Sequence, residues 1–179
     1  MEEYEGVKFK LVIGNGTVPK IYIEEYLKLD KELSKFMQPN ENDGNMSMKT
    51  GDGFLIKRAG EQMTMLGQED VISVRKIDGD LVYAIGGEPS SKAMMHNEIY
   101  RNSKDTNIIL HFHDDKLLKK IKGENVKEFP YGTQELAIAV GKAATKKSKV
   151  ILMKGHGLVI RANDSIELIN MLKKLFGRE

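Results

Sequence analysis

Residues 108–110, Ile-Ile-Leu, form an apolar run without alternation that ends in His111-Phe112-His113-Asp114-Asp115. A run apolar at every position reads as a buried strand, and a buried strand needs covering layers. A second apolar stretch, Lys149 to Ile160, reads as a strand broken by Gly155-His156-Gly157.

The other segments supply the layers. Ile23 to Phe36 carries apolar residues at helical spacing, and Pro39 to Gly44 is rich in loop formers. Met46–Lys49, Gly53–Lys57, Val71–Lys76 and Leu81–Ile85 read as a meander, the last two joined by the Asp78-Gly79 turn. Pro89-Ser90-Ser91 opens a helix through about Arg101, with a serine suited to cap its first turn. Asp115–Lys122 is a short basic helix or turn, Thr133–Lys146 an Ala-rich helix, and Ser165–Phe176 a terminal helix capped by Asp164. At the N-terminal end, residues 7–22 alternate into Gly14-Asn15-Gly16 and predict a hairpin extension whose second arm, with Pro19, is an edge. The order of elements, with no internal repeat or long linker, predicts one α/β domain over residues 1–179, a sandwich around a mostly antiparallel or mixed sheet.

Composition narrows the chemistry. Lys and Arg total 28 against 26 Asp and Glu, a net charge of +2, so charge predicts no nucleic-acid partner. The absence of cysteine excludes disulfides, thiolate ligands and a cysteine nucleophile, so a metal must use imidazole, carboxylate or water. The start Met1-Glu2-Glu3-Tyr4-Glu5 lacks a basic region leading into an apolar one, and no run reaches the length of a membrane span. The expectation is a cytoplasmic protein without a membrane partner.

Three of the four histidines sit at strand boundaries. Positions i and i+2 of a strand share a face, so His111 and His113 converge if Phe112 turns into the core. His156 lies between two glycines that let the backbone bend closely around whatever the ring binds. Three imidazoles plus an open position is the pattern of a catalytic divalent-metal site. His96, on the helix after Ser91, reads instead as a packed helix histidine with one hydrogen bond.

Taken in order, "GNMS" at 44–47, "PSSKAMMHNEIYR" at 89–101, "NIILHFHDD" at 107–115, "PYGTQELA" at 130–137 and "ILMKGHGLVIRANDSIEL" at 151–168 resemble the class II aldolase and adducin-type superfamily. That resemblance implies a three-layer αβα sandwich and a metal, most often zinc, held by His111, His113 and His156. It implies a small phosphorylated hydroxy-carbonyl substrate, handled through a metal-stabilised enediolate, with phosphate on Gly44, Asn45, Ser47, Gly60, Ser90 and Ser91. Serine hydroxyls and free N–H groups at a helix start suit an anion. It also implies a homo-oligomer, commonly a tetramer. Members include fuculose- and rhamnulose-phosphate aldolases, ribulose-phosphate epimerases and a methylthioribulose-phosphate dehydratase, while the adducin branch binds without turnover.

Three departures bear on the reaction. The family's Thr-Gly turn is here Ala59-Gly60. Its acid/base carboxylate after Ser-Ser is here Lys92, which as a cation only donates and serves as a base only where burial or the metal's charge lowers its pKa. Glu88 or Glu98 is an alternative carboxylate, although Glu98 falls on another face of that helix, and Asp114 is a nearer candidate that also reads as a strand-end polar residue. Only sixteen residues separate His113 from Pro130, with Tyr131 the tyrosine left there, and the closing C-terminal extension of the sugar-phosphate aldolases is not in the chain. The expected reaction is an aldolase-type carbon–carbon cleavage with Lys92 at the reacting centre. An epimerase, a dehydratase or a non-catalytic scaffold are the alternatives.

Overall fold

The computed structural model describes residues 8–37, 44–130 and 132–177; the loop expected at 39–43, Val7 and Tyr131 lie outside them. In chain order the elements are β1 (Lys10–Ile13), α1 (Lys20–Leu33), β2 (Asn45–Thr50), β3 (Gly53–Lys57), β4 (Val71–Asp78), β5 (Leu81–Ile85), α2 (Ala93–Asn102), β6 (Ile108–Phe112), α3 (Asp115–Leu118), β7 (Glu124–Val126), α4 (Gln134–Ala143), β8 (Val150–Met153), β9 (Gly157–Ala162) and α5 (Ser165–Phe176). One sheet of nine strands runs β1-β5-β4-β3-β2-β6-β9-β8-β7. Its end pairs β1/β5 and β7/β8 are parallel and the pairs between are antiparallel. The sheet is therefore mixed and mostly antiparallel, as the sequence predicts.

The layers follow from the unbroken apolar strands. Along β6, Ile108, Leu110 and Phe112 enter a core with Tyr26, Leu29 and Leu33 of α1 and Leu168 and Leu172 of α5. Ile109 points the other way, with Met95 and Ile99 of α2 and Leu136 and Val140 of α4. Helices thus cover both faces, and each fully buried aliphatic side chain contributes roughly 1.5–3 kcal/mol. The last helix forms where its caps place it: the Asp164 carboxylate accepts from Glu167 N at 2.8 Å, and Gly177 closes the helix in the left-handed conformation, φ 62°.

The N-terminal hairpin does not form among the described residues. Strand β1 pairs parallel with β5, Lys10 opposite Leu81, and after Ile13 the chain passes through residues without regular structure to Pro19, which stands at the start of α1. The edge of β5 offers a ready ladder of backbone groups, whereas Pro19 has no N–H to give a second arm. Serine does not cap α2 either. The N-cap position falls on Lys92, and Ser90 Oγ accepts the Lys92 N–H at 3.4 Å. The broken strand at 149–160 is two antiparallel strands, β8 and β9, hinged at the Gly155-His156-Gly157 turn.

Candidate metal centre

Where β6 runs out, its side-chain alternation decides who meets whom. Phe112 turns into the α1/α5 core and lies 6.3 Å from the Phe176 ring, which leaves His111 on the α2/α4 side, the side where His113 also stands. His156 reaches the same point from the β8–β9 turn, held by its own N–H donating to Met153 O at 3.1 Å. Gly157 makes that approach possible. At φ 135° a Cβ there would stand 2.6 Å from Phe112 O and 2.9 Å from His113 Cδ2.

The three rings form a cup. One nitrogen from each of His111, His113 and His156 lies within 4.8 Å of the others, a set that could hold a metal ion. Ring centroids are 5.0 Å apart for His111–His113, 5.1 Å for His113–His156 and 5.4 Å for His111–His156. His111 Nδ1 donates to Leu158 O at 3.0 Å, which leaves the lone pair on Nε2, and Nε2 sits 3.2 Å from His113 Nε2. Nitrogens bound tetrahedrally to zinc at about 2.0–2.1 Å stand about 3.3–3.4 Å apart, so the donor set fits a divalent ion of that size. A backbone carbonyl behind a ring is also the support that fixes the tautomer of a metal-binding histidine.

Burial keeps the His111 and His156 rings neutral. It is the largest cause pulling His111 well below the ordinary imidazole value, with His113, Lys92 and His156 adding like-charge repulsion against the Leu158 hydrogen bond. The same burial, then Lys92 and His113, lowers His156 to about 3. Neutral imidazole is the form that coordinates.

Lys92 points at the cup. It is 4% exposed, and its Nζ is hydrogen-bonded to His156 Nε2. Asp114 and Glu98 do not stand in for the missing carboxylate. Asp114 caps α3, accepting from Lys116 N at 2.9 Å and Leu117 N at 2.8 Å. Glu98 pairs with Arg101 at 2.9 Å and packs beside Gly141 of α4. Glu128, which no motif marks, lies against the turn, its Oε1 3.3 Å from where a Gly155 Cβ would be.

The expected phosphate residues divide. Gly44 and Asn45 are buried at the start of β2, with Asn45 opposite His111 in the ladder and its Oδ1 without a hydrogen-bond partner among the described residues. Ser90 and Ser91 are buried just ahead of Lys92. Gly60 is exposed in a turn whose neighbour Ala59 donates to Glu88 O, so that turn runs beside the segment leading to the two serines. Ser47 is turned inward instead. Its hydroxyl bonds His96 Nδ1 at 2.6 Å and Tyr100 Oη at 2.8 Å, and Tyr100 Oη donates onward to Asn107 O at 3.3 Å. The chain ends on a carbonyl, so its hydrogens run from His96 through Ser47 and Tyr100, as His96 neutral with Nδ1–H requires. Spacing alone does not reveal this relay, although the i, i+4 pair His96 and Tyr100 would have suggested a shared partner.

Residues 25–119 match the class II aldolase and adducin N-terminal domain. The chain belongs to that family. Two L-fuculose phosphate aldolases from different strains of Methanococcus maripaludis resemble it. One is 28% identical over 163 residues, covering 81% of this chain and 87% of its own length. The other is 32% identical over 142 residues, covering 69% and 75%. The crystal structure of L-fuculose-1-phosphate aldolase from Thermus thermophilus superposes with a TM-score of 0.71 over 89% of this chain and 91% of that one, at 18% identity, a likeness of fold.

Proposed function

We propose that this chain is a metal-dependent aldolase-type lyase that cleaves or forms a carbon–carbon bond in a small, phosphorylated hydroxy-carbonyl compound. The observation that carries the reading is the convergence of His111, His113 and His156 nitrogens within 4.8 Å, backed by the Leu158 carbonyl. Zinc is the ion we favour, since an all-imidazole set with room for a further ligand suits it. When bound, the ion supplies Lewis acidity to the substrate's oxygens beside the reacting bond.

The chain's own residues do the rest. Asn45 offers its amide from the floor beside His111, and Ser90 and Ser91 offer hydroxyls and N–H groups for the phosphate, with Gly44 and Gly60 keeping the backbone close. Lys92 brings a cation to the place where negative charge develops on substrate oxygen, and it donates rather than abstracts a proton. Lys92, Ser90, Ser91 and Asn45 are buried, which strengthens that interaction over its value in water.

Because a lysine stands where the family's aldolases carry a carboxylate, an epimerase or dehydratase reaction in the same cup is the second reading. Incubation with ketose phosphates separates the two. Release of dihydroxyacetone phosphate supports the lyase, loss of water without it supports a dehydratase, and a change of configuration alone supports an epimerase; no turnover with metal present contradicts all of them.

The same reading takes residues 1–179 as one domain acting in the cytoplasm as a homo-oligomer, a tetramer by its resemblance to the family. The one-domain part of it is supported by the single sheet built from strands between Lys10 and Ala162; no described helix is long and apolar enough to cross a membrane.

A further inference from the structure

Lys92 and a divalent ion want the same electrons. The neutral imidazole of His156 has one lone pair in the ring plane, and at Nε2 it faces Lys92 Nζ. A nitrogen that accepts a hydrogen bond through that pair cannot coordinate through it. His156 offers one ring nitrogen to the three-histidine cup, and for Nε2 to be that nitrogen the amine that faces it must leave.

Two further observations sharpen the conflict. Lys92 stands at the head of α2 in a position 4% exposed, and His96 N donates to Lys92 O at 3.0 Å, so the backbone that carries the amine is locked into the first turn of the helix. The amine therefore answers an incoming ion by rotating its side chain, not by moving its backbone. One turn along the same helix, His96 is fully buried and its Nε2 has no hydrogen-bond partner among the described residues, while its Nδ1 is committed to Ser47. A buried acceptor thus lies on the same face of α2 as the amine, because i and i+4 are neighbours on a helix.

We propose that Lys92 is a built-in competitor for the metal cup: its amine holds His156 Nε2, and a divalent ion binds only by displacing it, so that Lys92 sets the affinity of the site. This rests on the three-histidine reading above and adds a regulatory term to it. Charge works in the same direction as the lone pair, since an ammonium beside the cup repels a dication.

The test is a Zn2+ titration of the purified full chain by calorimetry with a competing chelator, in the wild type, Lys92→Met, Lys92→Arg and His113→Ala. Lys92→Met keeps the bulk and removes the donor and charge, and is expected to tighten Zn2+ binding by about ten- to a hundredfold, the worth of one charge-assisted hydrogen bond. Lys92→Arg keeps both and is expected to bind no more tightly than the wild type. Thermal unfolding of each metal-free variant separates folding effects, because a structural role alone moves the melting temperature and leaves the metal affinity where it was. Equal or weaker binding by Lys92→Met, with His113→Ala still abolishing it, overturns the competition and leaves the three-histidine site standing. Absence of binding in both the wild type and Lys92→Met overturns both.

Discussion

The Nε2 atoms of His111 and His113 face each other at 3.2 Å, and His111 is held there by its Nδ1–H on the Leu158 carbonyl. At that separation a single hydrogen bond can join the two rings, whereas a divalent ion would take a lone pair from each, so an ion that binds only the folded cup should stabilise the fold. Saturating Zn2+ at about 100 times Kd is expected to add about 2.7 kcal/mol, or roughly 5–10 °C in Tm for a chain of this size, reversed by a chelator. Differential scanning fluorimetry with and without Zn2+ checks this, and an unmoved Tm counts against the site.

Gly157 lets the β8–β9 turn bring His156 close. A Cβ there would meet Phe112 O at 2.6 Å with the backbone at φ 135°. Gly157→Ala is expected to cost about 2 kcal/mol or more and to weaken Zn2+ binding, because His156 moves with the turn. Gly60→Ala, at φ 82° but with no heavy atom within 4 Å of the added Cβ, is the comparison. It should cost about 1 kcal/mol and leave metal affinity unchanged. Equal metal affinity in the two variants would show that the turn does not position His156.

Ser47 links His96 to Tyr100 inside the α2 layer. Ser47→Ala leaves both partners buried without their hydrogen bond and is expected to cost about 1–3 kcal/mol, whereas an exposed serine replaced by alanine costs little. Urea denaturation measures the difference. A cost below about 0.5 kcal/mol would mean that Ser47 is not part of a buried relay.

The acid limb of stability has a sign set by His96. Burial, then the charge of Lys92, lowers it to about 3, while in the unfolded chain it titrates near about 6.5. Between those values the unfolded state binds more protons, so this stabilising term is whole above about pH 6.5 and is lost as pH falls toward 3. The wild type should therefore lose stability faster than His96→Asn below pH 6.5, by up to about 1.4 kcal/mol per pH unit. Denaturation curves at pH 4, 5, 6 and 7 compare the two, and parallel losses would remove His96 from the explanation.

Lys57 works on the alkaline side. It is 3% exposed, and burial lowers it to about 8 against the pull of Glu61, Asp30 and Asp70, while its Nζ donates to Glu61 O at 2.5 Å. The unfolded chain holds that proton to about pH 10.4, so stability should rise between about pH 8 and 10 through this group. Lys57→Met, which buries no charge, should flatten that rise; an unchanged slope would contradict it.

Local signals in the sequence reached as far as local physics does. Strands β3 and β5 and helix α5 stand at the expected residues, because Asp78-Gly79 sets a turn and Asp164 caps a helix wherever the chain goes afterwards. The partner of β1 is a matter of sheet topology, and Lys10-Leu11-Val12-Ile13 carries no mark of β5. Strand β7, Glu124-Asn125-Val126, is too short and polar for a pattern and exists because the edge of β8 accepts it. The histidine trio was legible because i, i+2 spacing and a glycine-flanked turn are local constraints. That Lys92 touches His156 and that Ser47 faces inward are contacts across 64 and 49 residues, which only the packed layers determine.

The most direct measurement is the Zn2+ stoichiometry and affinity of the full chain against a His111→Ala/His113→Ala double variant that keeps its circular dichroism spectrum. One ion per chain in the wild type and none in the double variant is the expected result. A wild type that binds no zinc, or a double variant that binds it as tightly, would contradict a three-histidine metal centre.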